Sequence, residues 1–269
     1  MVETIRLPNR EIAKRFEKYV KLLYMPLGMY FSETKPPGKV RRQRMIINRC
    51  IVGHVFKAAK WGGSSIIMKG AGCPGGQFWA GFRKKIIRGW ASFLTKGRPD
   101  VLGGRAERMK KDVNVATRII KEPGPIALPE GTNFIVYRPL REIPDDQPLE
   151  FILFFVDPER MAKLITLCNY ARHAPYMVRA PAGAGCMSIL NFPLLMKKAP
   201  EPDAVMGVWD LYSRMSIPHH ILTLTIRRWL VEDMALDIPE SFLAHTPPFT
   251  VWGEIKHFFK KLKRNKNKC

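Results

Sequence analysis

The tetrapeptide Gly-Ala-Gly-Cys occurs twice in the chain, in "KGAGCPGG" (69–76) ending at Cys73 and in "PAGAGCMS" (181–188) ending at Cys186. In each copy the cysteine follows residues with almost no side chain, so backbone N–H groups can turn toward sulfur and stabilise a thiolate. A thiolate so placed can ligate a soft metal or act as a nucleophile. Read alike, the two copies predict two loops that make the same local environment for sulfur. Cys50 adds a third thiol, and His54 follows it at i+4, the helical spacing at which two side chains can ligate one metal. The candidate metal set is Cys50, Cys73 and Cys186, with His54 as the fourth candidate and an open position suited to a catalytic metal. An iron–sulfur cluster is the expected cofactor, with zinc or no metal as alternatives. The separations of 23 and 113 residues match no compact ferredoxin or zinc-ribbon spacing, so these thiols form a site only if the fold gathers them.

Each residue also has a plainer reading. Cys50 and His54 fit the apolar face of a helix as core residues. Cys168 lies on an apolar helical stripe and reads as structural, and Cys269 ends the sequence without a prenylation box. In a second functional reading the glycine-rich loops cradle an anionic small molecule or polyanion. Gly72, Gly75 and Gly76 would then supply amides, and Arg83 and Arg214 charge.

The elements that must position these residues are interspersed helices and strands. Helices are predicted over 9–25, with Ile12, Phe16, Tyr19, Val20 and Leu23 on one stripe, over 45–63, and over 76–94. Another is predicted over 157–174, with Asp157 as its cap and Pro158 in the first turn. A further helix starts at Cys186 and is broken by Pro193, and a late one spans 226–235. Strands are predicted at 64–69, 132–140, 150–157, 203–209 and 220–225. The fold class is α/β or α+β, a mixed sheet with helices packed on it, as one domain over 1–250.

Charge is distributed unevenly. Residues 38–122 carry 20 Lys/Arg against 4 Asp/Glu, and residues 254–269 carry 7 against 1. A basic block and a basic tail attached to a near-neutral body point to an anionic partner. The segment 251–269 sets Trp252, Ile255, Phe258, Phe259 and Leu262 at helical spacing, flanked by Lys260 and Lys261. This pattern predicts a C-terminal amphipathic basic helix lying on an anionic membrane, with Trp252, Phe258, Phe259, Lys260 and Lys261 in contact with lipid. An acidic redox protein is the alternative partner. Nucleic acid is not expected, because no recognition helix or periodic aromatic set accompanies the charge. The charged N-terminus has no secretory h-region, so the expected location is cytoplasmic, peripheral to a membrane.

Several of these segments together resemble the ArCR family, a domain of unknown function. They are "CIVGHVFKAA" (50–59), "GCPGG" (72–76), "VDPERMAKLI" (156–165), the second "GAGC" (183–186), "YSR" (212–214) and "ILTLTI" (221–226). The resemblance covers roughly 20–245, and Cys73-Pro74-Gly75-Gly76 is its most specific piece. Here "FWAGF" stands where the family has a short Ala-Leu-Gly motif. The resemblance implies that three characteristic cysteines, at Cys50, Cys73 and Cys186, belong together. The arginine of a late family segment corresponds to Arg214, although "DLYSR" lacks that segment's cysteine and glycine. It implies no particular reaction.

Overall fold

A computed structural model describes residues 7–43, 50–100, 104–196, 204–245 and 255. In chain order the elements are α1 (Asn9–Tyr19), β1 (Leu27–Ser32), β2 (Val40–Arg42), α2 (Ile51–Trp61), β3 (Ser64–Met68), α3 (Pro74–Trp79), α4 (Trp90–Phe93) and α5 (Val113–Lys121). There follow β4 (Phe134–Pro139), β5 (Phe151–Val156), α6 (Pro158–Cys168), β6 (Val178–Arg179), α7 (Phe192–Met196), β7 (Ala204–Gly207), α8 (Leu211–Arg214), β8 (Leu222–Arg227) and α9 (Arg228–Asp237). The strands form one eight-stranded mixed sheet in the order β2-β3-β4-β1-β5-β8-β7-β6. Among the described residues, only the outer pairs β2–β3 and β6–β7 run parallel.

Strand β5 shows why the sheet has two covered faces. All six residues of "FILFFV" are buried, the continuous apolar run expected of a strand packed on both sides. Phe151, Leu153 and Phe155 join one core with α2, α3 and the Met187–Leu190 segment. Ile152, Phe154 and Val156 join the other, which is closed by α1, α6 and α9. The first of these layers holds Cys186, with Cys50 packed against it, whereas Cys168 lies in the second.

Three predicted helices differ from expectation, each for a local reason. Helix α1 ends at Tyr19 and Lys21 adopts φ +61°, the left-handed turn that commonly closes a helix. After Pro26 the chain enters β1 in the middle of the sheet, an element that sequence periodicity missed. The 76–94 segment is not one helix. Gly81 at φ +76° turns the chain so tightly that a Cβ there would lie 2.5 Å from the Ile126 carbonyl, and the chain becomes helical again only after Gly89. In the third case Met187–Asn191 forms a π-helical turn before α7, with the Phe192 N–H bonded to the Met187 carbonyl. Pro193 is accommodated at the start of α7 rather than ending the helix. Helix α5, within the basic block, was also not predicted; Asp112 caps it by accepting from the Asn114 and Val115 amides.

Candidate functional site

The three expected thiols come from three separate segments. Cys50 occupies the N-cap position of α2, Cys73 that of α3, and Cys186 directly precedes the π-turn. They reach one another electrostatically. Burial pushes the Cys73 thiol up, and Cys50 and Asp210 add to that rise. Cys186 lies well above the ordinary thiol range, first because of burial, then because of Cys73, Cys50 and Asp210. Cys73 and Cys186 therefore favour the neutral thiol, burial being the main cause and nearby negative charge adding to it. Among the described residues, no group of three or more His, Cys, Asp or Glu side chains stands in a metal-holding arrangement. The donors suit a soft metal in type and charge, but their present separations do not form a closed ligand cage.

The two Gly-Ala-Gly-Cys copies differ in conformation, so the expectation of identical sulfur environments does not hold. In the first copy Gly70 and Gly72 adopt φ +79° and +90°, and the Cys73 sulfur accepts the Gly76 amide at 3.2 Å. In the second copy neither glycine has positive φ. Gly185 is needed there for space: a Cβ would lie 2.3 Å from Ser213 Oγ and 3.1 Å from Val52 Cγ2. The first copy requires glycine for its turn and the second for close packing.

Sequence reading overlooked the polar group that joins these segments. Asp210 caps α8 by accepting the Tyr212 amide at 2.9 Å. Its other oxygen accepts Ser213 Oγ–H at 2.9 Å and the Gly185 amide at 3.3 Å. Ser213 Oγ in turn contacts Cys50 Sγ at 3.8 Å. The signal was present as "DLYS", an Asp-x-x-Ser helix start, although only the fold places it beside the thiols. Glu107 is also within electrostatic reach: burial and then Asp210 raise its carboxyl to about 7.

The backbone around this group is constrained. Val208, buried and β-branched, holds φ +67°, and its amide is tied to Ser188 Oγ at 3.1 Å. Such conformations persist where surrounding structure enforces them, and they cluster at functional sites. The same Ser188 hydroxyl donates to the Gly185 carbonyl at 2.8 Å, locking the Cys186 loop to the end of β7.

The remaining candidates have internal partners. The His54 ring bonds the Ile66 carbonyl at 3.2 Å, and burial lowers its pKa to about 4. The charges acting on Cys73 come from Cys50 and Asp210, and those on Cys186 from Cys73, Cys50 and Asp210, with His54 not among them. The Gly72 backbone packs on the Gln43 side chain and Gly75 on the Trp90 ring, while the Gly76 amide serves Cys73. Arg83 Nε donates to the Lys85 carbonyl at 3.2 Å, and Arg214 Nη1 to the Ile221 carbonyl. Trp252, Phe258, Phe259, Lys260 and Lys261 lie outside the described residues. No described helix is long and apolar enough to cross a membrane.

No curated protein and no solved structure matches the chain. A protein-family match spans residues 15–236 and so includes Cys50, Cys73, Cys186 and Asp210. With most of its length inside that match, the chain belongs to the family described as Uncharacterised ArCR, domain of unknown function 169.

Proposed function

We propose that the protein binds a soft metal ion or an iron–sulfur cluster through Cys50, Cys73 and Cys186 and serves as a redox or accessory protein. The observation that carries this reading is the mutual electrostatic reach of three thiols supplied by α2, α3 and the π-turn loop. A cation resolves the conflict between them. It stabilises each thiolate, whereas without it their charges are mutually unfavourable, so loading releases protons. The Gly76 amide directed at Cys73 favours thiolate at that position and would tune a bound centre. Because the sulfurs are not preset as a cage, loading draws them closer together. The anion-cradle alternative loses support from the internal partners of Gly76, Arg83 and Arg214.

The test is anaerobic purification followed by metal and sulfide analysis and an absorption spectrum. Stoichiometric metal that disappears on replacing Cys50, Cys73 and Cys186 by Ser, and persists in Cys168→Ser, is the expected result. A colourless wild-type protein that neither contains nor takes up iron or zinc overturns the reading. On the partner side, the basic block and tail would bring the site to an anionic membrane surface or an acidic redox protein.

A further inference from the structure

We infer that Asp210, acting through Ser213, is the positioning residue that holds the Cys50 sulfur against the Cys186 loop. One carboxylate oxygen receives both the Gly185 amide, adjacent to Cys186, and the Ser213 hydroxyl, which touches Cys50. The Cys186 loop is thereby bonded to that oxygen directly, and Cys50 is linked to it through Ser213. Close fit makes the connection specific, since Ser213 Oγ occupies the space that a side chain at position 185 would need. The local strain has the same location: Val208 precedes Asp210 by two residues and is itself tied to the Cys186 loop through Ser188. A cap on the short α8 requires only the bond to the Tyr212 amide. The second oxygen, bonded to the Gly185 amide and to the Ser213 hydroxyl that touches Cys50, exceeds what capping needs.

The metal consequence rests on the proposed function, but the positioning itself does not, so two readouts are used on the full chain carrying Cys168→Ser and Cys269→Ser. The first is anaerobic cobalt(II) titration followed by the sulfur-to-cobalt charge-transfer band. Ser213→Ala and Asp210→Ala are expected to weaken binding by about ten-fold or more, the usual effect of losing a group that orients a ligand. Asp210→Asn keeps an oxygen acceptor and should stay near wild type. The second readout is the yield of a Cys50–Cys186 cross-link from a short bis-maleimide in metal-free protein. It should fall in Ser213→Ala and Asp210→Ala and be retained in Asp210→Asn. Ser213→Ala leaves the α8 cap intact, so a fall in that variant is not a capping effect. Equal cross-link yields in all variants overturn the inference. If wild type takes up no cobalt, the metal reading fails and the cross-link alone decides the positioning role.

Discussion

The hydroxyl of Tyr137, on β4, donates to the carbonyl of Ile189 in the π-turn at 2.8 Å. In the π register that pairs the Phe192 N–H with the Met187 carbonyl, residue 193 would serve the Ser188 carbonyl; that residue is Pro193 and has no N–H, and Thr225 Oγ1 donates to Ser188 at 3.2 Å instead. Tyr137 ties the next residue to the sheet, and so anchors the segment that follows Cys186. Burial, then the charge of Cys186, keeps the Tyr137 phenol well above its ordinary range, so it remains a donor.

Tyr137→Phe should therefore destabilise the fold by about 1–3 kcal/mol, the cost of leaving a buried acceptor unpaired. Denaturant unfolding measures it. Loss of under a few tenths of a kcal/mol would mean that the carbonyl finds another donor.

Gly185→Ala should cost about 1–3 kcal/mol, because its Cβ would lie 2.3 Å from Ser213 Oγ in a packed region. Gly70→Ala differs in kind. Nothing lies within 4 Å of the added carbon, and the penalty is the left-handed φ of +79°, about 1–2 kcal/mol. Repacking around Ser213, as in Gly185→Ala with Ser213→Gly, should recover stability only for the former. Thermal or denaturant unfolding of the three variants decides between packing and turn strain.

Acidification should weaken the fold through His54. Its folded pKa, about 4, lies below the ordinary 6.5, so the unfolded chain takes the proton first. Stability contributed by the neutral ring is full above about 6.5 and is lost as pH falls toward about 4, on the order of 3 kcal/mol in total. His54→Gln should flatten the pH dependence of unfolding across this window. An unchanged slope would place the acid sensitivity elsewhere.

Residues 251–264 should carry membrane affinity if the tail acts as its apolar and basic pattern indicates. Full-length protein should then sediment with vesicles containing phosphatidylserine far more than residues 1–250 do, and added salt should reduce the difference. Equal partition of the two proteins removes the tail from that role.

Elements whose signals are local can be read from the order of residues alone. The apolar run at 151–156 made β5, Asp157-Pro158 started α6, and the paired glycines after Trp61 ended α2. The same order also marked Cys50, Cys73 and Cys186 as residues with chemistry to offer, through their type and glycine-rich setting. Tertiary structure decided which of them meet and what joins them. Strand β1 was hidden because its place in the sheet comes from β4 and β5, both distant in sequence. The His54 ring bonds a backbone carbonyl on β3, a contact that spacing along a helix cannot reveal. Asp210 and Ser213 emerged because hydrogen bonds act over about 3 Å in space, whatever the separation along the chain. The repeated Gly-Ala-Gly-Cys shows the same limit: one copy needs glycine for its own φ angles, the other for a neighbour 28 residues downstream.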